Sequence, residues 1–399
     1  MKKIAALIIA ASLLAGCGGN DNSKNNKSNN KIITEGSYAV QTVASDYGSS
    51  KVAMGNILGD RTATNDLLKK SKSDYAISTY KNYLYHIGKF NIDTIDKYDS
   101  TQGVDTAVWS YSTNHKIEGS ANTYTLVQQS DSNGYIINYG SSKVLQVDPS
   151  ATLEENFVKG EIDLSAYNFT GNSVPNMADA VIVNNQLFVA LQRLGADWSY
   201  NQAYIAVIDL STNEEVDTNP QQSGLKGIPL NAKNTSTITA HNGYIYAAGR
   251  GNYGSDTGGL EKIDASTYVT TTLIGDTSFP DLNSPENNTY YHVRDVAVVS
   301  DQLAYANLSI EPGWPQPNTS KIAIINPSTK ALSLLNTVTA IDGKEISDIN
   351  IDANDRLWLG IANADNPGMY VLDTDTNTIS GEFIELDMPV KKIEFLTVQ

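Results

Sequence analysis

The feature that most constrains this chain is a strand that recurs six times after a polar turn. "NYLYHIG" (82–88), "NGYIINYG" (133–140), "NQLFVAL" (185–191), "NGYIYAAG" (242–249), "DQLAYAN" (301–307) and "DRLWLGI" (355–361) alternate large apolar and smaller residues. Their first apolar residues, Leu84, Tyr135, Leu187, Tyr244, Leu303 and Leu357, lie 51, 52, 57, 59 and 54 residues apart. A second echo follows each: "TIDKYDS", "VLQVDPSA", "IAVIDLSTN", "LEKIDASTY", "IAIINPSTK" and "MYVLDTDTN". In each of these an apolar strand ends in Asp or Asn before Ser, Thr or Pro. Asx side chains bond backbone amides two residues on, and Pro presets φ, so these are turn signals with a mechanism. Another apolar strand precedes each hairpin, as in "DAVIVN" (179–184) and "RDVAVVS" (294–300), and a β-branched run such as "TTTLIG" (270–275) follows. The unit therefore has four strands.

Four antiparallel strands repeated at this period, with no helical periodicity between them, predict an all-β fold, a β-propeller. A sandwich would account for the strands but not for the repetition. Six full blades are expected near 75–114, 124–164, 178–218, 236–275, 294–337 and 346–386. A seventh is split. "SYAVQTVA" (37–44) and "KVAMGNI" (51–57) read as middle strands without a first strand, and "VKKIEFLTV" (390–398) reads as the missing one. Closing the ring with strands from both ends removes free sheet edges, which otherwise invite aggregation. Seven blades over 32–399 is the expectation.

The N-terminus does not belong to that fold. Lys2 and Lys3 precede an apolar run, Ile4 to Leu14, that is too short to span a bilayer, which takes roughly 20 residues. Leu14-Ala15-Gly16-Cys17 then resembles the lipobox of bacterial lipoproteins. The resemblance implies a signal peptide over 1–16 and a fatty-acylated, palmitate-type anchor on Cys17. Cys17 is the single cysteine, so disulfides and thiol metal sites are excluded. Gly18, where an Asp would signal inner-membrane retention, favours the outer membrane. Residues 17–31 form the lipidated Cys and a polar tether, whose "GGNDNSKNNKSNN" stretch (18–30) holds no apolar side chain to offset its ordering entropy. Loss of Lys2 and Lys3 on processing takes the 28 basic residues to 26 against 44 acidic ones, so the net charge moves from −16 to about −18. That sign argues against nucleic acid.

"GRGNYG" (249–254) spells G-x-G-x-x-G, yet the "SDTGGLEKIDAS" after it is loop, strand and turn. A dinucleotide site needs the glycines to open a helix, so that reading fails. His86, His115, His241 and His292 show no zinc spacing, and no G-x-S-x-G elbow is present. "DTDTNT" (373–378) alternates oxygens like a calcium loop but lacks its glycine and closing Glu, and it sits at the turn common to all blades. No cofactor is called for, and a metal is left open.

Loop length is more informative. Connections between second and third strands, and between blades, lie on one face of a propeller. They are short in blades 2 and 3 ("GKF", "GSS") and long in blades 4 to 6: "QRLGADWSYNQ" (192–202), "GRGNYGSDTGG" (249–259) and "NLSIEPGWPQPNTS" (307–320). "AYNFTGNSVPNMAD" (166–179) and "TSFPDLNSPENNTYYHV" (277–293) join the same face. These segments hold Arg193, Trp198, Tyr200, Arg250, Tyr253, Tyr290, Tyr291, His292 and Trp314, the candidate ligand-binding residues. Aromatics beside Arg, Asn and Gln are the composition of a recognition surface. The plainer alternative is that these rings pack the loops onto the blade rims. Trp109 and Trp358 fall within strands and are expected in the core.

The "AVIDLSTNEEVDT", "AIINPSTKAL" and "VLDTDTNTI" units resemble bacterial propellers with YVTN-type and NHL-type blades, and "NDRLWLG" is similar to the second-strand motif of the latter. Together with lipobox and tether, the chain looks like surface lipoproteins that work beside TonB-dependent transporters, such as the propeller lipoproteins that capture vitamin B12. The resemblance implies a monomeric, lipid-anchored binding protein at the outer-membrane surface. It would take a corrinoid, siderophore, haem or metal chelate on the long-loop face, and a transporter would be its partner. Two alternatives stay open. One is a scaffold or adhesin that binds a protein or glycan. The other is a metal-dependent hydrolase or lactonase, which predicts acidic and amide side chains near the ring axis, where Asp179, Asp295 and Asp348 begin successive first strands.

Overall fold

The computed structural model describes residues 34–397, apart from 253, 254, 256, 257, 276, 288 and 313–315. Residues 1–33, with the expected signal peptide, Cys17 and tether, lie outside the described residues. From Thr34 onward the chain is one compact unit of seven antiparallel sheets. Blades 2 to 7 each run outward in chain order from an inner strand: Tyr75–Tyr80, Thr123–Ser130, Met177–Val183, Thr235–His241, Tyr291–Ser300 and Ile346–Ile351. The outermost strand of blades 4 and 7 is broken into two short pieces. Blade 1 takes its inner strand, Val390–Thr397, from the far end of the chain and pairs it with Gly36–Val43. The sequence therefore read both the blade count and the closure correctly.

The core lies between blades. Among the described residues seven buried apolar clusters occur, one for each pair of neighbouring blades. Successive side chains of a strand point to opposite faces, so each second strand feeds two clusters. In Gln186–Leu191, Leu187, Val189 and Leu191 join the cluster toward blade 3, while Phe188 and Ala190 join the one toward blade 5. That is why these strands are apolar throughout rather than alternately polar. Each fully buried Leu, Ile or Phe contributes roughly 1.5–3 kcal/mol. Trp109 and Trp358 lie in these clusters, as expected.

The predicted turns form as their chemistry demands. Asp99, Asp148, Asp209, Asp264, Asn326 and Asp373 each accept the amide two residues on through Oδ1, at 2.7–3.0 Å. "DTDTNT" is one of these turns. Asp264 accepts a second amide, from Thr267, at 2.8 Å. An Asp264→Ala chain is expected to lose about 1 kcal/mol of unfolding free energy, the net worth of such bonds. Urea titration checks this, and an unchanged midpoint would show the turn to be held by its flanking strands alone.

The seam that closes the ring carries more. Asp352 is buried and accepts Arg356 Nε at 2.8 Å, Arg356 Nη2 at 2.7 Å and Trp358 Nε1 at 2.8 Å. The backbone amides of Asn354 and Arg356 also donate to it. Arg356 Nη2 and Arg61 Nε both donate to Ile57 O, at 2.7 and 3.1 Å, which ties blade 7 to blade 1. The glycine of "NDRLWLG" has a steric reason: a Cβ at Gly360 would stand 2.4 Å from Val390 Cγ1 of the closing strand.

Candidate functional site

Six of the inner strands carry a register shift at the same place, near the start of the strand. The residues it leaves unpaired are Tyr124, Ala178, Ser236, Arg294, Ser347 and Lys391. A bulge re-aims the side chain that it frees. Here all six line one cavity of about 460 Å³ at the long-loop end of the central channel. The next residue in each strand, namely Thr125, Asp179, Thr237, Asp295, Asp348 and Lys392, lines both this mouth and the channel below it. Those residues form the waist.

The mouth combines aromatic walls with positive charge. Tyr124 and Tyr139 stack at 4.6 Å, and Lys89 Nζ stands 4.6 Å from the Tyr124 ring. Tyr139 donates its hydroxyl to Gln192 Oε1 at 3.0 Å, and Tyr75 stacks on the buried His86 at 4.6 Å. Burial, with Asp74 nearby, pushes the Tyr124 phenol up to about 12, so it stays a neutral donor. Above the waist three mouth cations have partners: Lys89 with Asp74 at 2.9 Å, Arg294 with Glu345 at 3.2 Å, and Arg250, whose Nη2 donates to both carboxylate oxygens of Glu311 at 2.6 and 2.8 Å. Lys391 makes no ion pair or hydrogen bond among the described residues. Its ammonium is reached by solvent yet walled by protein. Desolvation, then the charges of Arg294, Lys89 and Arg250, hold its pKa below the usual lysine range.

At the waist the carboxylates bind blades together. Asp179 accepts the Ile238 amide at 3.0 Å, Asp295 that of Ile349 at 2.9 Å, and Asp348 that of Ile393 at 2.8 Å, each in the next blade. Burial raises all three, Asp179 to about 6 and Asp295 to about 7. Asp295 is the most enclosed; Asp179 and Asp348 keep part of their surface on the channel, where water tempers the effect. Burial pulls the Lys392 ammonium down, but Glu394 at 2.8 Å, Asp179 and Asp348 outweigh it and hold the charge. The acidic side chains that a lactonase reading requires are therefore near the axis, engaged as blade staples. Among the described residues no three His, Cys, Asp or Glu side chains stand close enough together to hold a metal ion.

The sequence candidates divide. Tyr200 and Arg250 line the mouth and meet His292 and Glu311 in a small polar pocket on its rim. His292 is buried, with Nδ1 2.6 Å from Arg250 O, and desolvation lowers its pKa. Arg193 is used in packing: Nε donates to Tyr167 O at 3.0 Å, and the guanidinium lies 4.9 Å from the Tyr204 ring. Tyr291 is buried, with its hydroxyl on Gly275 O at 2.7 Å, and Tyr290 is half-buried. Trp198 stands at the apex of a turn closed by its amide on Gly195 O, at φ 63° and 68% exposed. Tyr253 and Trp314 lie outside the described residues. Loop length drew attention away from Lys89, Arg294 and Lys391, the first in a short loop and the others on inner strands. The signal was in the repeats, as the residue just before each waist position: "RD", "SD", "AD" and "KK".

No protein-family model matches the chain, and no curated protein sequence matches it. Solved structures do. A candidate 6-phosphogluconolactonase from Bacteroides uniformis superposes with a TM-score of 0.58 at 12% identity, over 91% of this chain and 100% of that one. A protein from Lactobacillus plantarum gives 0.58 at 14%, over 91% and 99%. Apo AztD from Citrobacter koseri gives 0.50 at 12%, over 90% and 83%. At such identities the likeness establishes the fold and leaves function to the site: the chain is a seven-bladed β-propeller.

Proposed function

We propose that this protein is a lipid-anchored, non-enzymatic binding protein that captures a small ligand in the long-loop mouth and hands it to an outer-membrane transporter. The observation that supports the reading is the mouth itself, a concave site with tyrosine walls and a few convergent polar groups. Tyr47, Phe90 and Trp198, exposed by 75%, 58% and 68%, crown second-to-third-strand loops on the same face, where a partner protein would seat. The B. uniformis structure keeps a hydrolase in view, but here the axial carboxylates hold backbone amides.

Calorimetric titration of the full chain in detergent against cobalamin, haem and ferric siderophores tests this. One of them is expected to saturate at about micromolar affinity or tighter. Tyr200→Ala, which removes a ring from the mouth, should weaken it about fivefold or more without moving the thermal transition, as an interface aromatic does. Cys17→Ser should release the chain from membranes. Silence across the panel would refute capture of these cargoes, and silence toward other small ligands as well would favour the protein or glycan scaffold.

A further inference from the structure

We infer that the mouth takes a small multivalent anion, bearing carboxylate or phosphate groups, with the Lys391 ammonium as its anchor and Arg294 and Lys89 beside it. This rests on the mouth being a ligand site and specifies the chemistry of the ligand.

The chain carries a net charge of −16, yet five cations, Lys392 at the waist among them, converge on this one cavity. Three of these cations are matched by a carboxylate: Lys89, Arg250 and Arg294. Lys391 is not, although its own strand supplies Glu394 three residues on, which pairs with Lys392 instead. The cause is geometric: strand neighbours point to opposite sides, and the bulge turns Lys391 up into the mouth. Arg294 is turned the same way by the same bulge two blades along. Its guanidinium has five donors, and the structure gives it one carboxylate contact, to Glu345.

Lys391, Arg294, Lys89, Tyr75 and Ser347 also line a second cavity of about 320 Å³ beside the first. The cations thus form a shared wall, and a ligand holding its anionic groups there can extend to either side. Desolvation and then repulsion from Arg294, Lys89 and Arg250 make an unpaired ammonium here unfavourable. An anion would relieve that repulsion. Charge-assisted bonds in a walled site are the strong ones. The waist carboxylates face the same space from below, but each is turned onto an amide of the next blade, and Lys392 stands among them.

The test uses the full chain in detergent with citrate and inorganic pyrophosphate as probes and spermidine as the cationic control. Both anions should bind saturably and spermidine should not. Affinity should fall as salt rises from about 20 mM to about 200 mM. Lys391→Ala should weaken binding at least about tenfold, and Lys391→Arg should restore most of it. Citrate should also protect Lys391, but not the exposed Lys69, from acylation by dilute acetic anhydride. Equal anion binding by wild type and Lys391→Ala, with matched thermal transitions, would overturn the inference. If cobalamin, haem or siderophore binding survives Lys391→Ala undiminished, ligand capture stands and the anion anchor falls. If the two anions bind as expected while that panel is silent, the anchor stands and the cargo named above is wrong.

Discussion

Replacing Asp352 with alanine is expected to lower the unfolding free energy by about 3–5 kcal/mol, the cost of removing one partner from a buried ion pair. The carboxylate satisfies Arg356 twice, the Trp358 indole and two backbone amides, all at the seam where the ring closes. Without it the Arg356 guanidinium keeps only its bond to Ile57 O, and the indole N–H of a fully buried tryptophan loses its acceptor. The charge is the costly part. An Asp352→Ala, Arg356→Met double variant should therefore be more stable than the sum of the single effects allows, with a coupling of about 1–3 kcal/mol. Urea unfolding with an unchanged slope reads both values. A single-variant loss under about 1 kcal/mol would show that Arg356 swings to solvent and that the seam rests on its apolar cluster.

That seam was partly legible beforehand, because "NDRLWLG" stood out as a motif, although nothing in its spacing said that its Arg356 and Trp358 share a carboxylate, Asp352, that stands just ahead of the motif. The fold was legible for a related reason. Each blade must satisfy the same geometry, so the second-strand runs and the Asx turns at Asp99, Asp148, Asp209, Asp264, Asn326 and Asp373 recur at a fixed phase. The site obeys no such repetition. It is assembled at the axis from one residue per blade, and those residues need share no type: Tyr124, Ser236, Arg294 and Lys391 occupy equivalent positions. Loop length found Tyr200 and Arg250 at the mouth, but it ranked Arg193 and Tyr291 alongside them although the structure uses these two in packing. Lys89 lies in a three-residue segment that length alone dismissed. Aligning the repeats by phase and reading the column before the waist would have recovered Arg294 and Lys391.

Stability is expected to fall as pH rises through neutrality, because of the waist. Burial holds Asp179 near 6 and Asp295 near 7, and Asp348 is raised by burial and by Asp295. A carboxyl whose folded pKa lies above its unfolded one stabilises fully below the unfolded value, and that contribution is lost as pH passes the folded value. Two histidines act in the opposite sense. His86, wholly buried and stacked on Tyr75, is pushed down by burial to about 3, and burial lowers His292 as well. Their contribution is present above the unfolded value, near 6.5, and is lost as pH falls below it. Between about pH 4 and 6.5 the two sets oppose, so the profile there is shallow. Above about pH 6.5 only the carboxyls remain, and each proton still held is worth about 1.4 kcal/mol per pH unit. Unfolding free energy is thus expected to drop by about 1 kcal/mol from Asp179 and Asp295 between pH 6.5 and 8.5, with Asp348 adding in the same direction, measured by urea titration at several pH values. Asp295→Asn cannot ionise, so its profile over the same range should be flatter while its value at pH 6.5 is lower from the loss of one of two amide acceptors. If wild type and Asp295→Asn run parallel from pH 6.5 to 8.5, the waist carboxyls are fully ionised at neutral pH and the amides of Val296 and Ile349, rather than burial, set their charge.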